Sequence, residues 1–345
     1  MTDKSYVKPK STILDIAKLA GVSKMTVSRV LNQDPKVSDK TRKKVQDIVD
    51  KLNFRPNVTA RRLSTNKSYF IGLLCESPSG SYVSQFLVSA LSSCRKRGYH
   101  LVVDECKGTL EEKAVTAHNL VDETNVDGVI VLPPLSNDLD ILKQLTHLNI
   151  PFVRVSPDAE LELSPYVCMD DYEAAFQITN LLISKGHTDI GFIIGLHSVG
   201  ASRLRYQGFL DAMRSKQLDV PPHFIEQGAF TYKSGLVAAE NLLKQSPPPS
   251  AIFASNDDMA AAVISVANSK GLNVPEKLSV VGYDDTLLAT TIWPQITTVR
   301  QPIKEMAECS IDILTSGKMN QKKPIKMSEL RNVIDFSIIE RSSTA

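Results

Sequence analysis

Residues 12–32 read "TILDIAKLAGVSKMTVSRVLN", and this stretch holds two short helical patterns on either side of a glycine. In the first pattern, Ile13, Ile16, Ala17 and Ala20 recur at the spacing of one helix face. Gly21 follows them directly and is the residue type that most often ends a helix. The stretch therefore predicts a short amphipathic helix that stops at a sharp turn.

The second pattern begins at Ser23, whose hydroxyl is suited to cap the free amides of a new helix. Val27, Val30 and Leu31 form the inward stripe of that helix. The residues left on its outward face are Lys24, Met25, Thr26, Ser28 and Arg29. This face is small and polar enough at its start to enter the major groove of DNA.

A third amphipathic helix is predicted from Ser38 onward, in "SDKTRKKVQDIVDKLNF". Its inward stripe, Val45, Ile48, Val49 and Leu52, would cover the first two helices. Two short helices joined by a tight glycine turn, with a third helix over them, are typical of a helix-turn-helix DNA-binding domain.

Charge is distributed unevenly along the chain. The net charge is +2, but the chain up to Asn66 has 15 Lys and Arg against 6 Asp and Glu, and the remainder has 25 against 32. The first part therefore carries +9 and the rest −7. A basic module joined to an acidic body favours contact with nucleic acid, because Lys and Arg displace counterions from phosphates. Charge alone also fits an ordinary solvated basic face.

The segment "RPNVTARRLSTNKS" follows the three helices. Pro56 is a stop signal, and residues 57–63 have helical propensity but few apolar side chains to bury. A helix this short is marginal alone in water, so it needs a partner or a surface. Arg61 and Arg62 suit phosphates, and Leu63 is either an apolar wedge for a minor-groove base step or an anchor for the linker.

From Tyr69 onward, apolar runs alternate with helical stretches. The runs are "YFIGLLC", "HLVVDEC", "DGVIVLPP", "IPFVRVS", "DIGFIIG", "SAIFAS" and "KLSVVGYD". Continuous apolar strands between helices predict parallel sheets covered on both faces. About 270 residues with some ten strands predict two such lobes, with a ligand cleft where the carboxyl ends of the strands meet.

Composition narrows the protein class. The chain has 345 residues, 42% of them hydrophobic, which is typical of a globular protein of two or three domains. It contains no apolar run of membrane-span length and no apolar segment near its N-terminus, so we expect a cytoplasmic protein without a membrane partner. The five cysteines lie far apart, which favours reduced and mostly buried thiols.

Together, the motifs resemble those of the lactose-repressor/galactose-repressor (LacI/GalR) family of bacterial transcription factors. The resemblance covers residues 12–341 and rests on "TILDIAKLAGVSKMTVSRVLN", "LNFRPNVTARRL", "RLRYQGF", "ASNDDMA", "VVGYDD", "ITTVRQP" and "IIERSS". It implies a small all-α helix-turn-helix headpiece plus an α/β periplasmic-binding-protein-like core of two doubly wound parallel-sheet lobes. It further implies a homodimer on a palindromic operator, with the DNA affinity switched by a small effector.

The resemblance also sets domain bounds. It implies a headpiece at 1–56, a hinge helix that orders on operator DNA with its linker at 57–68, and a core at 69–345. The chain crosses between the lobes three times. The N-lobe is expected at about 69–169 and 301–328, and the C-lobe at about 170–300 and 329–341.

Matched positions give the DNA-binding residues that the resemblance implies. Lys24, Met25 and Arg29 match the base-reading positions, and an arginine suits guanine because it donates two hydrogen bonds. The positions matched near phosphate are Thr12, Ser23, Thr26, Ser28 and Asn32. The hinge residues implied to contact DNA are Asn57, Ala60, Arg61 and the intercalating Leu63.

In the core, Arg205, Asn256 and Asp284 match effector-contacting positions, and Phe230 matches an aromatic residue that packs on the ligand. A forked donor, an amide, a carboxylate and a flat ring suit a neutral polyhydroxylated molecule, so a sugar or glycoside is the expected effector.

Other core positions leave alternatives open. The N-lobe departs from many relatives in "CESPSGSYVSQF", where Ser77 and Tyr82 are the expected pocket residues and Ser81 is a further polar group. Trp293 either lines the cleft or makes a structural contact near a crossover. Asp170 either caps a helix or touches the effector.

Other classes of protein fit less well. The segment "GLHSVG" resembles a serine nucleophile elbow, but Leu196 stands where that motif needs its first glycine. Phosphate-cradling, zinc-protease and dinucleotide motifs are not in the sequence, so we expect neither an enzyme nor a cofactor. A transport-type binding protein would need export. Tetrameric relatives carry a C-terminal leucine heptad extension, so a chain ending in "ERSSTA" is expected to form a dimer, and repression is the expected mode of regulation.

Overall fold

The computed structural model describes residues 12–31, 34, 36–52, 54, 67–76, 80–317, 319 and 327–345. The chain divides into two compact units, residues 1–68 and 69–345, which are the headpiece with its linker and the core. None of the helices in the described segments combines the length and the apolarity that a bilayer span requires.

Three helices form the described part of the headpiece, and they confirm the three helical patterns of the sequence. They are α1 (Ile13–Ala20), α2 (Lys24–Leu31) and α3 (Asp39–Lys51). Gly21 ends α1 in the left-handed conformation, at φ 61°, which a glycine adopts without strain. The buried core of this unit is Ile16, Ala17, Ala20, Val27, Val30, Val45 and Val49.

Twelve strands form two six-stranded sheets in the described part of the core. The first sheet has the order β11-β5-β4-β3-β1-β2 and is parallel throughout. Its strands are β1 (Phe70–Cys75), β2 (His100–Glu105), β3 (Gly128–Val131), β4 (Phe152–Val155), β5 (Tyr166–Cys168) and β11 (Arg331–Val333). We call the lobe built on this sheet the N-lobe.

The second sheet has the order β12-β10-β9-β8-β6-β7, and it defines the C-lobe. It is parallel except for its edge strand β12, which pairs antiparallel with β10. Its strands are β6 (Ile190–Ile194), β7 (Ile225–Gln227), β8 (Ala251–Ala254), β9 (Ser279–Asp284), β10 (Thr297–Arg300) and β12 (Ser337–Ile339).

Helices cover the sheets. Those of the N-lobe are α4 (Ser81–Lys96), α5 (Leu110–Thr124), α6 (Leu139–His147) and α12 (Ile303–Thr315). Those of the C-lobe are α7 (Asp171–Ser184), α8 (Gly200–Ser215), α9 (Tyr232–Leu243), α10 (Asp257–Ser269) and α11 (Leu287–Thr291). Two lobes, each a mostly parallel sheet of apolar strands with helices packed on it, confirm the predicted fold class.

The chain crosses between the lobes after β5, after β10 and after β11. The last crossing corrects the expected boundary, which gave residues 329–341 to the C-lobe. Arg331–Val333 pairs with β5 in the N-lobe sheet, so the chain reaches the C-lobe only between Val333 and Ser337. The strand belongs to the N-lobe because its backbone completes the open edge of that sheet.

Strand order locates the natural ligand crevice of each lobe. β1 lies between β2 and β3, and β6 lies between β7 and β8, so the order of winding reverses at these two strands. Ligands of open α/β sheets bind at the carboxyl ends of the strands beside such a reversal. The loops that follow Cys75 and Ile194 are therefore the parts of the fold best placed for a binding site.

Candidate functional site

The outward face of α2 is the candidate DNA-reading surface of the headpiece. Lys24, Met25 and Arg29 are exposed, and the Met25 side chain is 64% exposed although it is apolar. Thr26 and Ser28 lie on the same helix and are half-buried. The structure therefore brings together the three residues that we expect to read bases, on one helix whose opposite side is held by Val27 and Val30.

Ser23 caps α2, as its position in the sequence predicts. Its Oγ accepts a hydrogen bond from the Thr26 amide at 3.1 Å and lies 2.9 Å from the Thr26 hydroxyl. Thr12 does the same for α1, in a reciprocal capping box with Asp15. Any phosphate contact by Thr12 or Ser23 is therefore made by a hydroxyl that also holds the start of a helix.

Arg29 has an intramolecular partner. Its Nε lies 3.8 Å from Asp34 Oδ2, and its side chain is 51% exposed. An ion pair this exposed contributes little, because water screens it. Arg29 can therefore leave Asp34 for a base at small cost, and until then Asp34 holds the guanidinium near the end of α2.

Several predicted site residues lie outside the described part of the chain, and their roles stay predictions. These residues are Asn32, Asn57, Ala60, Arg61, Leu63 and Ser77.

A buried cluster around Arg205 forms the candidate effector site of the core. Arg205 is only 4% exposed; its Nε donates to Asp171 Oδ1 at 2.8 Å and its Nη1 to the Ser255 carbonyl at 2.7 Å. The guanidinium lies 3.6 Å from the centroid of the Tyr283 ring, whose hydroxyl donates to the same Asp171 oxygen at 2.9 Å. Burial opposes the charge of Arg205, but the Asp171 carboxylate outweighs it, and the pKa of Arg205 is raised above its usual value.

Asp284 ends β9 beside this arginine. It has φ 109°, and its Oδ1 accepts a hydrogen bond from Gln301 at 2.6 Å. Burial raises the pKa of Asp284 to about 8, although Arg205 and Gln301 act in the opposite direction. Near neutral pH the carboxyl is therefore largely protonated and has a proton to donate.

Asp257 is a second buried carboxyl of this region. It accepts hydrogen bonds from the Thr286 amide at 2.7 Å and from the Thr298 hydroxyl at 2.7 Å. Burial raises its pKa to about 7 despite these bonds. Its two oxygens are committed to holding α10 against β10 and the turn after β9, so Asp257 supports the site from behind.

Phe230 and Asn256 form one wall. The Phe230 ring lies directly on Gly195, where even a methyl group would overlap it, and 5.8 Å from the Arg205 guanidinium. Asn256 caps α10 by accepting from the Met259 amide at 3.0 Å, and its Nδ2 donates to the Phe230 carbonyl at 3.0 Å. We expected Asn256 to contact the effector; in the structure its amide holds the Phe230 loop.

Tyr82 reaches this cluster from the other lobe. It lies in the first turn of α4, its hydroxyl is hydrogen-bonded to Ser156, and the charges of Asp171, Asp284 and Arg205 all act on it. Burial raises its pKa well above the usual range. The structure thus brings five of the seven predicted effector residues to one place and sets N-lobe and C-lobe groups face to face.

Trp293 lies outside this cluster. It follows α11, and its side chain is 77% exposed. Of the two alternatives for Asp170, the structure shows the cap: Asp170 Oδ1 accepts from the Glu173 amide at 2.9 Å at the start of α7.

Comparisons with known proteins agree with this architecture. Residues 12–57 match the model of bacterial regulatory proteins of the lacI family, and residues 179–344 match that of periplasmic binding protein-like domains. The HTH-type transcriptional regulator DegA of Bacillus subtilis (strain 168) is 33% identical over 339 residues, which is 97% of this chain and 98% of DegA. The chain belongs to the LacI family of bacterial transcriptional regulators.

Solved structures of transcriptional regulators are similar over nearly the whole chain. The complex of the transcriptional regulator CelR with cellobiose has a TM-score of 0.71 and 28% identity, with 96% of this chain and 99% of CelR covered. The Lac repressor dimer bound to operator and the anti-inducer ONPF has a TM-score of 0.74 and 27% identity, with coverages of 97% and 99%. This LacI-family chain is accordingly a DNA-binding transcriptional regulator and not an enzyme.

The sequence did not single out several members of the cluster. They are Asp171, Tyr283, Gln301 and Asp257. Each stands next to a residue that was considered or inside a quoted motif, as Gln301 does in "ITTVRQP" and Asp257 in "ASNDDMA". Asp170 and Asp171 are adjacent in the sequence, and the sequence does not indicate which of them pairs with Arg205, because Arg205 is distant along the chain.

Proposed function

We propose that this regulator represses carbohydrate-utilisation genes. It binds a palindromic operator as a homodimer, and a neutral sugar or glycoside in the interlobe cleft switches its affinity for DNA. It acts in the bacterial cytoplasm at the nucleoid and requires no cofactor.

The observation that carries the effector proposal is the convergence of Arg205, Tyr82 and Asp284 beside the Phe230 ring. The guanidinium donates, the tyrosine hydroxyl donates and accepts, and the protonated carboxyl does both. A sugar hydroxyl also donates and accepts, and a sugar's C–H face stacks on a flat ring. The cellobiose in the similar CelR structure is a ligand of this class.

Exposed apolar side chains support the dimer. Val88 on α4 is 69% exposed, Leu287 on α11 is 80% exposed, and Trp293 just beyond it is 77% exposed. Leu287 and Trp293 are six residues apart in the sequence, and large apolar side chains that are exposed near one another mark a surface suited to a protein partner. The similar Lac repressor structure is a dimer on its operator.

The switch rests on two sites that are coupled through lobe arrangement. Because the cluster takes Tyr82 from one lobe and Arg205 from the other, a bound effector favours one spacing of the lobes. An effector changes operator affinity only as far as it prefers one arrangement.

A mobility-shift assay on the DNA upstream of the protein's own gene tests the proposal. A panel of neutral sugars and glycosides is first screened by thermal shift on the full chain, and each stabilising compound is added to the DNA complex. At least one is expected to change the shifted fraction, while Arg205→Lys, which keeps the charge but loses the fork, responds less. If the DNA is bound and no stabilising compound alters the complex, the cleft is not a sugar-operated switch.

The hinge prediction has its own test. Leu63→Ala is expected to weaken specific operator binding and to leave the thermal shift with an effector unchanged, because a lost wedge affects only the bent DNA. Equal operator affinity of the variant and the parent would remove the wedge.

A further inference from the structure

Two contacts cross the cleft, and in each a carboxylate of one lobe lies at the start of a helix of the other lobe. The N-lobe supplies the carboxylate in the first contact and the C-lobe supplies it in the second. In the first, Asp158 of the N-lobe lies on the first turn of α8 in the C-lobe. A methyl group on Gly200 would overlap the Asp158 carboxyl carbon, and the carboxylate also pairs with Arg203 one turn on. The residue before α8, Val199, offers no side-chain cap, and the Asp158 carboxylate lies against this helix start.

In the second contact, the C-lobe supplies the carboxylate. Asp258 Oδ2, in the first turn of α10, accepts a hydrogen bond from the Ser81 hydroxyl at 3.4 Å. Ser81 is the first residue of α4 in the N-lobe, and the preceding Gly80 again offers no side-chain cap. Each lobe therefore presents an acidic side chain to an uncapped helix start of the other lobe.

Asp158 is held firmly on its own side. Asn137 Nδ2 donates to the Asp158 carboxylate, and Asn137 Oδ1 accepts from the Asp158 amide at 3.1 Å. Arg154, which is fully buried, donates to the Ser136 carbonyl at 3.4 Å and to the Ala159 carbonyl at 2.9 Å. The loops that carry Asn137 and Asp158 are thereby tied together, so the carboxylate cannot follow α8 if the lobes separate.

Charge and burial determine how strongly these contacts stabilise the lobe arrangement. A carboxylate at a helix N-terminus is stabilised by the unpaired amides and the helix dipole. The Asp158 side chain is only 10% exposed, so this interaction is shielded from water, whereas Arg203 is 69% exposed and its pairing is largely screened. Both contacts join groups of different lobes, so they exist only while the lobes keep the spacing seen here.

Both contacts adjoin the candidate effector site. Ser81 precedes Tyr82, Arg203 lies on the helix of Arg205, and Asp258 follows Asp257. A change in lobe spacing that breaks the contacts therefore also separates the groups that would hold an effector.

We propose that Asp158 and Asp258 form a two-point latch that holds the two lobes of the core together. The two contacts act together, so loss of either one weakens the other. Both span the cleft that an effector must enter. The latch does not depend on which molecule the effector is or on the DNA sequence that is bound.

Hydrogen exchange on the ligand-free full chain tests this proposal. Asp158→Asn removes the charge, and Gly200→Ala displaces Asp158 by a methyl group at a helical position. Both variants are expected to speed exchange of the first-turn amides of α8 by about tenfold. They are also expected to speed exchange in residues 81–90, the start of α4, which neither substitution touches.

The matched control is Asp211→Asn. Asp211 also pairs with an arginine of α8, Arg214, but both residues lie in the C-lobe. This variant is expected to leave exchange at 81–90 unchanged. If residues 81–90 exchange as in the parent in both Asp158→Asn and Gly200→Ala, the two contacts are independent local packing and there is no latch. Because the assay contains neither sugar nor DNA, its outcome is separate from that of the proposed function.

Discussion

The side chains that we expect to read bases in the headpiece are exposed to solvent, whereas the polar side chains of the C-lobe that we expect to bind the effector are buried. On α2, Met25 is 64% exposed and Arg29 makes a screened ion pair with Asp34, whereas in the core Arg205 is 4% exposed and bonded to groups on other elements. The α2 side chains that we expect to contact DNA thus contribute little to the fold, whereas Arg205, which we expect to contact the effector, is bonded within it. Substitutions of Met25 or Arg29 should therefore change DNA affinity alone, whereas substitution of Arg205 should change effector affinity and stability together.

The largest expected effect is that of Arg205→Ala. It leaves the Asp171 carboxylate buried without its cation, which should lower the free energy of unfolding by about 3–5 kcal/mol. Urea denaturation of the full chain measures this, and Arg214→Ala is the control, because its pair with Asp211 is exposed and contributes at most about 1 kcal/mol. Equal losses in the two variants would show that the Arg205 pair is not the support that its burial implies.

The next effect concerns pH. The folded pKa of Asp284 is raised to about 8 from the ordinary value of 3.8, so folded chains keep a proton that unfolded chains have lost between those values. Its contribution is fully present below about pH 4 and is lost as the pH rises towards 8, by at most about 1.4 kcal/mol per pH unit.

Asp284→Asn should therefore flatten the fall in melting temperature between pH 5 and 8. The asparagine oxygen still accepts from Gln301, and Asp219→Asn, at an exposed position, serves as the control. Parallel pH profiles for Asp284→Asn and the parent would contradict the raised pKa.

In the headpiece, Arg29→Ala should weaken operator binding by about 1–3 kcal/mol and relax the choice of base at one position. Its effect on unfolding should stay small, because the ion pair with Asp34 is exposed. Fluorescence anisotropy with operator and scrambled duplexes separates the two effects. A uniform loss on both duplexes would make Arg29 a phosphate contact instead of a base-reading residue.

The smallest expected effect is that of Ser23→Ala. Loss of the bond to the Thr26 amide should lower headpiece stability by about 1 kcal/mol. Ser23→Asp keeps a cap but places a negative charge near phosphate. If Ser23→Asp retains stability and loses DNA affinity, while Ser23→Ala loses stability and affinity, Ser23 both caps α2 and contacts phosphate. An unchanged melting temperature of Ser23→Ala would contradict the cap.

Sequence periodicity predicted the parts of the fold that obey a local rule. All three headpiece helices and all seven apolar runs appear as predicted elements. Strands β5, β7, β10, β11 and β12 were not predicted, because each has only three or four residues and is stabilised by its neighbours in the sheet instead of by an apolar run of its own.

The candidate sites differ in the same way. The outward face of α2 can be predicted from the sequence, because it consists of the residues that remain once the apolar stripe is assigned. The partners of Arg205 cannot be predicted in this way, because they are 34 and 50 residues away along the chain. Arg154 shows most clearly what the sequence could not predict. It lies in the run "IPFVRVS" and is fully buried. Its partners are the Ser164 hydroxyl and carbonyl oxygens of loops, and no local sequence pattern connects these groups to Arg154.

The division of labour between the two regions is tested most directly by anisotropy titrations of the operator over a series of salt concentrations, with the parent chain and Arg205→Lys. The account predicts that the logarithm of the affinity falls steeply with the logarithm of salt concentration, by about 0.9 for each phosphate contacted, with the same slope for both proteins. A flat response, or a slope that changes when only the core arginine is altered, would contradict it.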